Sequence, residues 1–203
     1  TFYPVGEGVK RSIHSFIGSD IIVNKFAGTD THKNWKNFLG ELSINFPAKV
    51  KSLSTSQEPS YSIEIEIEKH EIGHLENRLV LVCSISLLAQ VYLIYGLEEV
   101  RLTRKYEGMR KPYSFFTNEV KIVSPEGLVE PYFLAAKNHI VRFFPDSKQL
   151  PFYALESKVR DFYLDDPTQE GNVFDALFRG LGHSHNHIHG NPYYAQEEWH
   201  LYK

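Results

Sequence analysis

The sequence predicts a single α+β domain over residues 1–203, in which an antiparallel meander of about four strands packs with an N-terminal amphipathic helix and several C-terminal helices. Isoleucines at 63, 65 and 67 alternate with glutamates at 64, 66 and 68, as in a strand with one wet face. Apolar residues recur at helical spacing in segments before and after the strands. Because short segments separate the strands, consecutive strands are expected to pair antiparallel.

The N-terminal helix is predicted to begin near Asp30 and Thr31, which are residue types that cap helices well. Its core-facing stripe consists of five apolar residues at helical spacing: Trp35, Phe38, Leu39, Leu42 and Phe46. Pro47 is expected to end the helix. Residues 52–60 are rich in Ser, Thr, Gln and Pro and are predicted to form a loop.

The strands follow in quick succession. Residues 79–88 are almost all apolar, which is expected of a strand that is buried on both faces. Residues 91–97 and 119–123 have the composition of two further strands. Together with the alternating segment, these ranges supply the four strands of the meander.

Three C-terminal helices are predicted. Pro131 suits a first helical position, and Pro145 would close that helix. Pro151 is expected to open a second helix with Phe152, Leu155, Val159 and Phe162 on one side. Asn172 would cap a short third helix that ends near Gly180.

Composition favours a protein partner over a nucleic acid or a membrane. Hydrophobic residues make up 42% of the chain and the formal net charge is −3, so no basic surface for nucleic acid or anionic lipid is expected. No stretch approaches the ~18 apolar residues of a membrane span. Cys83 is the single cysteine, which excludes an intrachain disulfide and favours a cytoplasmic location. Numbering starts at Thr1, so removal of a leader stays an open alternative.

Residues 70–74 read His-Glu-Ile-Gly-His and resemble the HExxH motif of zinc metallopeptidases. The resemblance implies that His70 and His74 bind zinc from one helix face and that Glu71 acts as general base on the metal-bound water. Glu98 or Glu99 would be the third ligand in that arrangement.

The surrounding sequence favours a different interpretation of the same five residues. They continue directly from the alternating strand, and on a strand His70 and His74 would lie ~13 Å apart, too far for one metal ion. The alternative structure is a hairpin whose turn spans residues 73–77.

A second histidine motif lies at residues 183–189, where His183, His185, His187 and His189 alternate with other residues. In an extended segment all four side chains project to one side, and a bend would bring two or three onto one cation such as zinc, nickel or copper. The motif resembles in part the histidine triad of nucleotide hydrolases, the His-apolar-His pair of HUH nucleases and the HxHxDH motif of metallo-β-lactamases. The bland alternative is a glycine-bounded polar loop that binds metal adventitiously.

The leading functional hypothesis is a non-catalytic intracellular protein-binding domain, for example an inhibitor or immunity-type protein. It depends on the mild acidity, on the aromatic C-terminal tail (residues 193–202), and on the lack of a P-loop, a dinucleotide fingerprint or a nucleophile elbow. The tail is expected either to dock on the domain itself or to contact a partner. The alternative is a metal-dependent hydrolase, with zinc or another transition metal held by the 183–189 histidines, by His70 and His74, or by both.

Overall fold

The computed structural model describes residues 30–46, 49–54, 59–104, 113–163, 170–178 and 187–199. The helices are α1 (Asp30–Asn45), α2 (Glu130–Phe143) and α3 (Val173–Phe178), with short 3-10 helices at Gly127–Val129, Phe152–Glu156 and Gln196–Trp199. The strands are β1 (Lys49–Ser52), β2 (Ser60–Ile72), β3 (Leu75–Ser86), β4 (Val91–Arg104), β5 (Tyr113–Ile122), β6 (Lys148–Gln149), β7 (Lys158–Tyr163), β8 (Glu170–Asn172) and β9 (His187–His189). Within these ranges no helix has the length and apolarity to cross a membrane.

Helices and a largely antiparallel sheet combine in the chain, in agreement with the predicted α+β class. The main sheet has the order β1-β2-β3-β4-β5-β9, and β1 to β5 pair antiparallel with their neighbours. Two short strands run parallel to their partners, β6 beside β4 and β9 beside β5. β7 and β8 form a separate two-stranded sheet.

Each face of the main sheet carries its own hydrophobic core. On one face α1 and α2 cover Ile63, Ile65 and Leu81. On the other face α3 and the 3-10 helix at residues 152–156 cover Val80, Val82 and Leu93. Strand β3 contributes to both cores, which explains its continuous run of apolar residues.

The prediction of a helix that begins at Pro151 is wrong. Pro151 has an extended backbone with ψ 141°, and only residues 152–156 turn, as a 3-10 helix. The chain then becomes extended in β7, which pairs with β8. Val159 is β-branched and favours this extended backbone.

The predicted hairpin at residues 70–77 is present, with a shorter turn than expected. Gly73 adopts φ +62° and His74 completes a two-residue connection, so that Ile72 pairs with Leu75. A left-handed φ favours glycine at this tight turn.

A β-bulge in β2 changes which side chains face the helices. Ile65 pairs with Leu81, but Glu68 pairs with Leu79, because the register shifts between Glu66 and Glu68. Leu79 and Leu81 are two residues apart and share a face, so Ile65 and Glu68 share that face as well. Beyond the bulge, Glu68 and His70 therefore lie on the face that carries α1 and α2.

Candidate functional site

A cleft of about 300 Å³ opens on this face. The sheet supplies its floor, where Leu79 and Ile122 lie, and the 3-10 helix at residues 127–129 supplies a wall with Leu128 and Val129. Its acidic and imidazole side chains come from four separate segments: Glu68, His70, Glu98, Glu126 and His189. We refer to this feature as the cleft.

The wall can approach the floor because Gly96 has no side chain. A Cβ atom at this position would lie 2.9 Å from Val129 Cγ2 and 3.1 Å from Ile122 Cβ. Val129 itself is fully buried. The 3-10 helix is therefore fixed directly above β4, and its position sets the width of the cleft.

Strand β9 brings the second histidine motif to the cleft. His187, Ile188 and His189 pair in parallel with Val120, Lys121 and Ile122. The backbone amide of Val123 donates to the carbonyl of His189 at 3.0 Å. His189 consequently lies on the same face of the sheet as His70, since its partner Ile122 is on the cleft floor.

Hydrogen bonds connect the segment that follows β9 to the segment that follows β5. The amide of Asn191 donates to Ser124 Oγ at 2.8 Å, and the Ser124 hydroxyl donates to Glu126. Gly190, which lies between His189 and Asn191, has φ +97°. A Cβ atom there would overlap Ser124 Oγ and lie 2.5 Å from Glu126 Oε1, so a larger residue would have to displace these two side chains.

The cleft carries more negative than positive charge. Glu68 Oε2 lies 3.6 Å from His70 Nε2, and Glu126 Oε2 lies 3.8 Å from His189 Nδ1. The two imidazoles are open to solvent, with exposed side-chain fractions of 70% and 69%. Glu98 adds a third carboxylate.

Arg78 also borders the cleft, but its guanidinium is engaged on the opposite face of the sheet. It donates to Glu64 Oε1 at 2.6 Å and to Glu99. Burial opposes ionisation of Arg78, but the hydrogen bonds to Glu99 and Glu64 outweigh it and raise the pKa of the guanidinium. This charge is therefore matched outside the cleft and does not neutralise Glu68, Glu98 and Glu126.

The structure separates the residues of the His-Glu-Ile-Gly-His segment. His70 lies on β2 in the cleft, whereas His74 lies in the hairpin turn. Glu71 points to the opposite face, where its carboxylate pairs with Lys69 at 2.6 Å. Residues 70–74 form a strand end and a turn, so this segment lacks the helix that the metallopeptidase resemblance implies.

The second motif is described only from His187 onward. His187 and His189 are exposed on β9, while His183 and His185 lie outside the described residues. Among the residues that the structure describes, no three His, Cys, Asp or Glu side chains are grouped so that they could hold a metal ion. A metal bound by His70 and His189 would need a ligand from elsewhere.

The sequence motifs did not indicate the carboxylates of the cleft, with the exception of Glu98. Glu68 looked like the last polar residue of a regular alternating strand, and the bulge that turns it toward the cleft has no sequence signature here. Glu126 lies in a connection between β5 and α2. In the sequence, Glu126 is marked as part of a turn by the glycine that follows it, Gly127, which adopts φ +53° in the structure.

The aromatic tail docks on the domain in the part that is described. Tyr194 packs edge-on against Phe133 of α2, with ring centroids 5.5 Å apart. Glu198 accepts from Lys137 Nζ at 2.7 Å and from the backbone amide of Gln149 at 3.0 Å. Trp199 Nε1 donates to the backbone carbonyl of Gln149 at 2.7 Å. Residues 200–203 lie outside the described part of the chain.

No protein family model, curated protein or solved structure matches this chain.

Proposed function

We propose that this chain is a non-catalytic, intracellular protein-binding domain whose cleft receives a basic side chain of a partner protein. The observation that carries the proposal is the composition of the cleft. Glu68, Glu98 and Glu126 line the cleft beside an apolar floor. Among the residues that the structure describes, Arg78 is the only Lys or Arg at the border of the cleft, and it is already paired with Glu64 and Glu99.

An arginine side chain matches both parts of this surface. Its guanidinium can bind carboxylates through two parallel hydrogen bonds, and its aliphatic stem can lie on Leu79 and Ile122. A cleft of about 300 Å³ is at the small end of the ligand-site range, which suits one long side chain better than a large cofactor.

The charge of the whole chain supports a basic protein partner. The net charge of −3 would favour encounter with such a partner over a nucleic acid. The single buried cysteine suits the reducing environment of the cytoplasm. An inhibitor or immunity-type protein that covers a basic surface is the class of function that we propose.

The test compares two short capped peptides that differ in one side chain. One carries arginine among glycines, and the other carries citrulline, which has nearly the same shape without the charge. We expect the arginine peptide to shift backbone amide NMR signals of Glu98, Ile122 and His189, with little effect from citrulline. Equal shifts for both peptides, or shifts elsewhere, would contradict the proposal.

The single variant Glu98→Gln removes one negative charge from the cleft. We expect it to weaken arginine binding by about tenfold, as for loss of charge-assisted hydrogen bonds. Asp146→Asn is the control, because Asp146 is an exposed acid in the turn that follows α2, outside the cleft lining. A loss of the same size in the control would show that only net charge matters.

The convergence of His70 and His189 favours a second candidate function, a metal-dependent hydrolase. We would measure bound metal by elemental mass spectrometry in untagged protein purified without chelator. Near one equivalent of zinc or another transition metal, lost in His70→Ala/His189→Ala, would support this candidate. A variant with His183, His185, His187 and His189 changed to Ala separates the contribution of the second motif from that of His70.

A further inference from the structure

The strands of the cleft floor continue to the tip of the β2–β3 hairpin, where an exposed apolar row crosses the sheet. Ile72 of β2 pairs with Leu75 of β3, and Leu75 pairs with Leu102 of β4. Ile72 is 78% exposed and Leu75 is 41% exposed, while Leu102 is half-buried. Neighbouring large apolar side chains that are open to solvent are typical of a surface that binds a partner. We refer to these three residues as the apolar row.

The apolar row lies on the same face of the sheet as the cleft. Side chains two residues apart on a strand project to one face. On β3, Leu75 therefore shares a face with Leu79, which is on the cleft floor. On β2, Ile72 follows His70, which lines the cleft, by two residues. The pairing of β2 with β3 runs residue by residue from Glu68 to Ile72, so both strands keep this face up to the hairpin tip.

The strands also fix the separation between the cleft and the apolar row. Leu79 pairs with Glu68 on one side and with Glu98 on the other, so two carboxylate-bearing residues flank the leucine of the cleft floor. Leu75 precedes Leu79 by four residues on β3. At ~3.4 Å per residue, the two leucines are ~14 Å apart along the strand.

The opposite face of the hairpin is polar, and its charges are matched within the chain. Lys69 pairs with Glu71 at 2.6 Å and with Glu76 at 3.1 Å, and Glu76 also lies 3.7 Å from Arg101. The hairpin is thus amphipathic, and its apolar face is the one that carries the cleft. A partner that binds at the cleft can therefore bury apolar surface along the same face.

We propose that the segment of the partner protein that enters the cleft lies extended along β3 and presents, four residues from its arginine, a large aliphatic side chain that packs on the apolar row. Four residues of extended chain advance ~13 Å, which matches the separation, and an even spacing projects both side chains to the same side. The inference rests on the proposed function, because the carboxylates of the cleft determine which side chain enters it. The same charge disfavours a second copy of this chain as the occupant, since the copy would bring its own Glu68, Glu98 and Glu126 to this face.

Capped peptides that differ only in the position of one leucine test the inference. The reference peptide carries arginine among threonines, because β-branched residues favour an extended backbone. Two peptides add leucine four residues after or four residues before the arginine, and two others add it at a spacing of three residues. We expect one of the two peptides with four-residue spacing to bind about fivefold more tightly than the reference, as for partial burial of a leucine. A three-residue spacing projects the leucine away from the sheet, so those peptides should bind like the reference. Calorimetry measures the dissociation constants.

The variant Ile72→Thr/Leu75→Thr removes the apolar surface and keeps residue types that strands accept. It should abolish the gain from leucine and leave the affinity for the reference peptide unchanged, because both residues lie outside the cleft lining. Ile44→Ala is the control for loss of exposed apolar surface, because Ile44 on α1 is 83% exposed, and it should keep the gain. In the unmodified protein, shifts of the Leu75 and Leu102 backbone amide signals on addition of leucine locate the contact.

If the reference peptide binds at the cleft and leucine at four-residue spacing adds nothing, the inference is overturned and the proposed function stands. The same conclusion follows if the gain survives in Ile72→Thr/Leu75→Thr, or if three-residue spacing gives an equal gain. A dimer of the unmodified protein in sedimentation experiments, lost in that variant, would also overturn the inference, because a second copy would then cover the apolar row. If the reference peptide does not bind at the cleft, both the inference and the proposed function fall.

Discussion

Val129 packs directly on Gly96, and this contact between a 3-10 helix and the central strand β4 fixes the wall of the cleft. The space for Val129 exists because Gly96 has no Cβ atom: one placed there would lie 2.9 Å from Val129 Cγ2. The second close neighbour of that position, Ile122 Cβ, is attached directly to the backbone of β5 and cannot rotate away. The architecture of the cleft thus depends on a glycine in the middle of a strand, where glycine is otherwise unfavourable.

Replacing Gly96 with alanine should therefore destabilise the protein. We expect the free energy of unfolding to fall by about 1–3 kcal/mol, the usual effect of overpacking a core. Gly40→Ala is the matched control, since nothing lies within 4 Å of a Cβ atom at that site on α1. The control should gain about 0.5–1 kcal/mol from the better helix propensity of alanine. Urea unfolding measures both, and equal changes would contradict the packing argument.

Arg78→Ala should be among the most destabilising substitutions on the sheet. Arg78, Glu64 and Glu99 expose only 12%, 11% and 6% of their side chains. Removing the guanidinium takes the close ion-pair partner from both carboxylates and leaves Glu99 with Arg101 at 3.5 Å. Breaking such a buried group typically costs about 3–5 kcal/mol.

Arg142→Ala provides the comparison for that experiment. Arg142 pairs with Glu41 on the surface, where the side chains are 56% and 41% exposed, and we expect a cost of about 0–1 kcal/mol. Because the denaturant guanidinium chloride is a salt that would screen both ion pairs, thermal and urea unfolding are the appropriate measurements. An effect at Arg78 no larger than that at Arg142 would show that the buried glutamates find other partners or take up protons.

Lys121 and Lys137 should give stability profiles of opposite slope at alkaline pH. Burial lowers the pKa of Lys121, which is only 2% exposed, although Glu119 and Glu156 oppose the shift. The unfolded state then binds more protons than the folded state, and stability rises with pH up to the unfolded pKa. For Lys137, burial acts to lower the pKa, but hydrogen bonding to Glu198 outweighs it and raises the pKa. Its contribution is full below the unfolded pKa and is lost as pH rises through the folded pKa.

The measurement is the free energy of unfolding of the unmodified protein minus that of each methionine variant, followed from pH 8 to 11. The difference for Lys121→Met should rise with pH, and the difference for Lys137→Met should fall. Taking differences removes the effect of the tyrosines, among which burial raises the pKa of Tyr61 to about 12. Parallel profiles for the two variants would contradict the assigned environments.

The sequence predicted the meander because its strands are encoded locally. Ile63 and Ile65 alternate with glutamates, and Gly73 marks the hairpin turn, so neighbouring residues suffice to predict both features. The segment after Pro151 was assigned to a helix because an apolar spacing of three to four residues does not distinguish a long helix from a 3-10 turn followed by a strand. Pairing with β8 decides that choice, and such pairing is not visible in the local pattern.

The cleft could be predicted only in part, for the same physical reason. The two histidine motifs are visible in the sequence, but their meeting depends on non-local events: a bulge after Glu66 and the parallel pairing of β9 with β5. A one-residue shift in a strand moves each later side chain to the other face. His70 would lie on the face opposite to the cleft without the bulge, and Glu71 would take its place.

We expect Gly190→Ala to destabilise the protein and to displace Glu126, which lines the cleft. Gly190 has φ +97°, and a Cβ atom there would overlap Ser124 Oγ and approach Glu126 Oε1 to 2.5 Å. We expect a loss of about 1–3 kcal/mol, mainly the cost of placing a side chain on a backbone with φ +97°, and we expect the Ser124 and Glu126 side chains to be displaced. The displacement of Glu126 should also weaken binding of the arginine peptide.

Gly73→Ala is the matched control, because Gly73 has φ +62° with nothing within 4 Å of the added atom. That control should lose about 1–3 kcal/mol from its backbone alone, because Gly73 has a positive φ and His74 does not, as in a type II′ turn, and it should keep arginine binding, as measured by urea unfolding and calorimetry. If both variants lost the same stability and kept the same affinity, the contact from Gly190 to Glu126 would have no part in shaping the cleft.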